Sequence, residues 1–196
     1  MSHGMIPIAW SVALTAVFVV SGLYCLWRVA AGRGRGMDLV VDVNHVLMSP
    51  AMLLMVWWPS ATGSTWVQIV AFSGLALVFF RDLSRSHDVT ARTAALLHGG
   101  MNLGMVWMLA VGMSSMSGMS DMPGMPQMAE MPGMVHTGGQ AWGTLLSWPV
   151  AGLLALSAGW WFVRVVRSPG HRILCCCHGL ASGGMAAMLA LMIPAL

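Results

Sequence analysis

Six apolar runs, at Ile6 to Trp27, Leu39 to Trp58, Trp66 to Phe80, Ala94 to Gly112, Trp142 to Val166 and Ile173 to Ile193, leave this chain few ways to fold. A helix needs about 20 residues to cross the hydrocarbon core of a bilayer, and most of the runs reach that length. The run starting at Trp66 is the shortest. Extending it back over Thr65 or forward past Arg81, whose stem can snorkel to the interface, makes up the difference. Composition agrees, because 58% of the residues are apolar and only 8% charged, with a mean hydropathy of +0.77, far from a soluble globular profile. The expected fold is an all-α integral membrane domain of six transmembrane helices over residues 1–196, with membrane lipid as its first partner.

Charge placement sets the expected orientation. All nine basic residues are arginines, in three clusters: Arg28, Arg33 and Arg35, then Arg81, Arg85 and Arg92, then Arg164, Arg167 and Arg172. Each cluster lies between an odd span and the next even one, and the other connectors carry neither Lys nor Arg. The positive-inside rule then puts the arginine connectors in the cytoplasm and the N- and C-termini outside. A pI near 9.0 would also suit nucleic acid, but arginines at the ends of spans are explained by anchoring and anionic lipid, so no nucleic-acid partner is expected. The first run has no basic segment ahead of it and reads as a retained helix, not a cleaved signal. Cys25 sits inside a span, and Cys175, Cys176 and Cys177 crowd the start of the last one. They offer no disulfide framework, and reduced thiols are expected.

The even spans carry a repeat. His45, Met48, Met52 and Met55 in the second span and His98, Met101, Met105 and Met108 in the fourth share one spacing, at an offset of 53 residues. The sixth span has His178, Met185 and Met188 at the same offsets from the histidine, with Ala181 in place of the first methionine and an added Met192. Between His98 and His178 the offset grows to 80, and the surplus matches a methionine-rich segment between the fourth and fifth spans. The chain therefore reads as three helical hairpins, at about 6–58, 66–112 and 142–193, in a pseudo-threefold arrangement, with an external methionine-rich loop at 113–140.

At about 100° per residue, offsets of 3, 7, 10 and 14 fall within roughly 80° of the histidine, so each even helix presents one stripe. All three even spans run in the same direction. If their stripes converge on one axis, a histidine layer is followed by methionine layers about 5, 10 and 15 Å further on. The residue four past each histidine is polar, namely Ser49, Asn102 and Ser182, and Ala51, Gly104, Gly183 and Gly184 permit close helix approach.

Thioether sulfur is a soft, uncharged ligand that favours Cu(I) or Ag(I), whereas Mg, Ca and Mn want oxygen and structural zinc takes thiolate or imidazole. Stacked neutral methionines offer weak, equivalent stations that an ion can leave, which conduction requires. Ionisable residues within a span are functional candidates, and here three histidines occupy matching positions. Methionine is also a common gap-filler, and a helical stripe is usually packing. Against that, 20 methionines in 196 residues would match all three positions after a given histidine about once in a thousand.

Outside the spans, Met113, Met116, Met119, Met122, Met125, Met128, Met131 and Met134 recur at every third position. With Gly118, Gly124, Gly133, Pro123, Pro126 and Pro132 among them, the segment suits a flexible or polyproline-like strand whose three residues per turn align the sulfurs, a copper-gathering loop assisted by His136, His3 and Met5. A low-complexity linker accounts for the Gly and Pro but not for the methionines. Asp42 precedes His45 by one turn and Cys175 precedes His178 by the same offset, while Ala95 holds that place before His98. Cys175 could pass Cu(I) onward to a cytosolic acceptor, but packing or lipid modification explains the cysteines equally well. His87 and His171 lie in connectors and read as solvated.

The segments from Asn44 to Pro59 and from His98 to Met108 resemble an uncharacterised actinobacterial family of Met/His-rich multi-pass membrane proteins, nearly over the full length of this chain. The resemblance implies architecture and a bacterial plasma (inner) membrane, with no established activity. The pairs Met48 and Met52, Met101 and Met105, and Met188 and Met192 are similar to the pore motif of eukaryotic high-affinity copper transporters, which assemble three chains around one axis where this chain would supply all three elements.

The expected function is Cu(I) and Ag(I) binding and translocation, with uptake favoured because the collecting loop lies outside. An alternative is a module that holds copper(I) and delivers it to a copper chaperone or cuproprotein without transport. A third is a haem protein with His and Met axial ligands, although three equivalent histidines and nine methionines exceed what one haem needs. No nucleophile and base pairing, P-loop or Asp-Lys-Thr-Gly stretch is visible, so no enzyme activity is expected and movement would be passive or gradient-coupled.

Overall fold

The computed structural model describes residues 8–57, 62–117 and 137–193. Among these, six α-helices follow one another: α1 (Ile8–Ala30), α2 (Met37–Trp57), α3 (Thr62–Arg85), α4 (Val89–Ser117), α5 (Thr137–Arg167) and α6 (Arg172–Met192), with a 3₁₀ turn at Pro169–His171 before α6. All six contain a stretch long and apolar enough to cross a membrane. In α3 that stretch is Ser64–Arg85, so the shortest apolar run does extend at both ends, over Thr65 and past Arg81. Helix α4 runs on through Ser117, carrying Met113 and Met116. The remaining methionines of the third-position series, with His136, His3 and Met5, lie outside the described residues.

The helix ends follow from local chemistry. At the end of α1 the backbone N–H of Arg33 donates to the Arg28 carbonyl at 3.0 Å and that of Gly32 to the Val29 carbonyl at 3.0 Å. This is the Schellman pattern, which places its turning residue in the left-handed region, where Gly32 has φ 62°. Gly36, with φ 57°, makes the second such turn just before α2. Asp88 caps α4, its carboxylate accepting the Ala91 backbone N–H at 2.8 Å. Pro169 lies at the start of the 3₁₀ turn between α5 and α6, where its missing N–H costs nothing.

Polarity is distributed inside out. Val67, Val70, Leu77, Leu153 and Leu156 face outward, each at least two-thirds exposed, while Asp42, Asn44, His45, His98, Asn102, His178 and Ser182 are buried. Lipid rewards an apolar exterior, and polar side chains within spans turn to the bundle interior. The even helices form the inner layer: α2, α4 and α6 bury 39%, 56% and 50% of their spanning windows, against 28%, 17% and 28% for α1, α3 and α5. Each odd helix packs along the even helix that follows it, α1 also meets α6, and α4 also meets α5 and α6.

Two of these contacts depend on glycine. A Cβ on Gly22 of α1 would stand 2.6 Å from Ser49 Oγ of α2, and one on Gly184 of α6 would stand 3.0 Å from Phe18 of α1. Small residues let the helices approach closely where burial alone gives no driving force in lipid. Arg28 completes the first hairpin, its Nε donating to Asp42 Oδ2 at 3.0 Å. An arginine that the sequence suggests is a lipid anchor thus neutralises a carboxylate buried in the next helix.

Candidate functional site

His45 lies on α2, His98 on α4 and His178 on α6, and the inner position of these helices turns all three imidazoles to one place. None is more than 2% exposed, and one ring nitrogen from each lies within 4.8 Å of the other two. His45 and His178 stack with centroids 4.5 Å apart, and His98 meets them edge-on, at 5.6 Å from His45 and 4.9 Å from His178. Four imidazole nitrogens have no hydrogen-bond partner among the described residues: Nε2 of His45, Nδ1 of His98 and both nitrogens of His178. Burying an imidazole nitrogen without a partner costs about 1–3 kcal/mol, so this cluster is expensive unless something satisfies it.

Aromatic side chains of the outer helices wall the trio. Phe79 of α3 stacks on His98 at 5.3 Å. Trp161 of α5 meets His178 at 4.5 Å in an edge arrangement and His98 at 5.2 Å. Phe80 packs against Gly99, and Phe162 against Gly179, so closely that a Cβ would sit 3.2 Å and 3.3 Å from their rings. The pair Phe79 and Phe80 thus stands to His98 and Gly99 as Trp161 and Phe162 stand to His178 and Gly179. Sequence reasoning missed these four aromatics. The signal was present as two adjacent aromatic residues at the same end of the third and fifth spans, set against a His-Gly step in the next helix.

The methionines lie along the same helices. Met48, Met52, Met101, Met105, Met108, Met185 and Met188 are each 1% exposed or less and belong to one continuous cluster, with Met55 and Met192 packed against it and partly buried. Ala181, in the place of the missing methionine, is buried in that cluster too. The polar residues four past each histidine divide in use. Ser49 Oγ and Asn102 Nδ2 donate to the carbonyls of His45 and His98, at 2.9 and 2.7 Å. Ser182 Oγ instead reaches across to Met101 Sδ at 3.1 Å and shares a hydrogen bond with Ser157 Oγ at 3.2 Å.

Of the residues near the starts of these helices, Asp42 is engaged by Arg28, and its second oxygen has no partner among the described residues. Cys175 and Cys177 are buried and Cys176 is half-buried, all as free thiols. The arrangement is thus three imidazoles with ligand nitrogens within 4.8 Å of one another, on the same helices as a cluster of buried methionine side chains. Imidazole nitrogen is a ligand for Zn, Cu, Fe and Ni, and thioether sulfur is a ligand for Cu(I).

The family described as a domain of unknown function, DUF5134, matches residues 37–192, from the first residue of α2 to the last of α6. No curated protein and no solved structure matches the chain.

Proposed function

We propose, from the premise that this chain belongs to the DUF5134 family, that it binds Cu(I) and Ag(I) and passes them across a bacterial plasma membrane. The observation that carries the reading is the trio His45, His98 and His178: one imidazole from each inner helix, ligand nitrogens within 4.8 Å of one another, all buried. A cation bound there would satisfy nitrogens that otherwise lack partners. A metal held at 2.0–2.1 Å by three nitrogens needs them roughly 3.5 Å apart, a small inward movement of the rings. Three imidazoles would also accept Zn(II); the buried thioethers alongside them favour a softer ion.

In this reading the three hairpins are repeats around a pseudo-threefold axis, the arginine connectors face the cytoplasm and the termini lie outside. The methionine-rich segment gathers the ion outside. Met48, Met52, Met55, Met101, Met105, Met108, Met185, Met188 and Met192 provide successive stations, and the imidazoles form the cytoplasmic gate. Uptake follows from the placement of the gathering segment, and a copper chaperone or cuproprotein would receive the ion. The likeness to high-affinity copper transporters is one of chemistry, with one chain supplying what three supply there.

The test is Ag(I) entry into vesicles carrying the full chain. Wild type should conduct Ag(I) and Cu(I) but not Zn(II), and Met52→Leu with Met105→Leu should slow entry at least about tenfold while leaving the protein folded. Binding with no flux in the wild type overturns the transport reading in favour of a delivery module.

A further inference from the structure

A cavity of about 340 Å³ opens at the end of the bundle where the three arginine connectors meet. Its lining changes with depth. Asp38 and Asp88 are exposed at the mouth and Asp82 is half-buried, whereas Cys175, His98 and His178 in its wall are all buried. The last two belong to the imidazole trio, and their Nδ1 atoms are among the nitrogens without partners. The cavity therefore joins the candidate metal cluster to water on the arginine side.

Three carboxylates and two arginines line it: Arg28 is paired with Asp42 at 3.0 Å, while Arg164, over the Trp160 ring at 5.1 Å, keeps its charge. Acidic rings at a pore mouth raise the local concentration of cations. Cys175 precedes His178 by one helical turn on the same face, about 4.5 Å along the axis. A thiolate binds Cu(I) or Ag(I) more tightly than imidazole or thioether does, which makes a sulfur at this point a receiver.

We propose that this cavity is the exit vestibule of the metal path, in which Cys175 takes the soft monovalent ion from the imidazole trio and Asp38, Asp82 and Asp88 hold it near the mouth. This rests on the metal-path reading above. The step is ligand exchange without change of oxidation state. As the bond from Sγ to the ion forms, the thiol proton passes to cavity water and the bonds from imidazole nitrogen to the ion break. Cys25, Cys176 and Cys177 take no part.

The experiment uses the full chain with Cys25, Cys176 and Cys177 replaced by serine, in lipid nanodiscs, titrated with silver nitrate in chloride-free buffer. A charged, membrane-impermeant maleimide should alkylate Cys175, and Ag(I) should slow that reaction at least about tenfold and release a proton as it binds. In vesicles, Cys175→Ser should lower Ag(I) flux at least about fivefold. It should leave the Ag(I)-induced shifts of the histidine ring resonances intact, which shows that the variant is folded and the trio still loads. Asp38→Asn with Asp82→Asn and Asp88→Asn should lower flux about twofold to threefold, most at low ionic strength. Alkylation untouched by Ag(I), or Cys175→Ser flux at the wild-type rate, overturns the vestibule while the path stands. Histidine resonances unmoved by Ag(I) in the wild type overturn the path itself, and the vestibule with it.

Discussion

At the imidazole end of the inner helices, four ring nitrogens are buried with no hydrogen-bond partner among the described residues, whereas further along the same helices seven methionines are buried to 1% exposure or less and have little polarity to satisfy. A thioether is only a weak acceptor and can be packed dry at little cost, but an imidazole must donate at one nitrogen and accept at the other. A methionine core is thus stable whether or not it ever meets an ion, and its burial says little about function. The histidine cluster is stable only at a cost, so its presence carries the functional information. Phe79 and Trp161 sharpen the contrast, since they pack against the rings of His98 and His178 and accept no hydrogen bond from them.

The largest expected effect comes from breaking the costly end. His98→Leu with His178→Leu should weaken Ag(I) binding by roughly a thousandfold or more, about 4 kcal/mol, in a competition titration. The same double variant removes three partnerless nitrogens of similar side-chain volume, so its metal-free thermal stability should stay level or rise. A protein that loses stability along with binding would show that the imidazoles are ordinary core members held by contacts among themselves, and the comparison would fail. The wild type should gain stability on adding Ag(I), by about 2.7 kcal/mol at a hundred times the dissociation constant, and the double variant should not.

A smaller effect is expected at the other end. Met105 is fully buried, and Met105→Ala should destabilise the fold by about 2–5 kcal/mol, toward the low end because lipid replaces water as the reference for the lost methylenes and only packing is forfeited. Met105→Leu conserves volume and should cost less than about 1.5 kcal/mol. Denaturation in mixed micelles measures both. If Met105→Leu leaves stability and Ag(I) flux alike unchanged, the methionines at this level are packing alone.

Much of this contrast can be read from the chain, and some cannot. The six spans follow from uninterrupted apolar length, and the meeting of His45, His98 and His178 follows from one spacing recurring on three parallel helices. What the sequence hides are relations between helices that share no period. Phe79 and Trp161 sit in outer spans, where only the aromatic neighbour that follows each, Phe80 or Phe162, marks them among many apolar residues. Arg28 belongs by position to an arginine connector, and only closure of the first hairpin brings its guanidinium to Asp42. The cavity over Cys175 exists because three connectors distant in sequence come together at one end. Ser182 shows the same limit: it matches Ser49 and Asn102 in spacing, yet those two bond their own helix and it bonds another.

That last bond gives the smallest and most discriminating prediction. Ser182 Oγ donates to Met101 Sδ at 3.1 Å and also meets Ser157 Oγ, so Ser182→Ala should destabilise the fold by about 1 kcal/mol. The hydroxyl occupies a lone pair on the sulfur that a metal ion would need. Removing it should therefore strengthen Ag(I) binding a few-fold, on the order of 0.5–1 kcal/mol, opposite in sign to its effect on stability. Binding titrations and denaturation on the same preparation separate the two. A loss of both affinity and stability would mean that Met101 serves the core and not the ion, and the boundary between the functional and the merely packed part of the stripe would then fall one turn nearer the imidazoles.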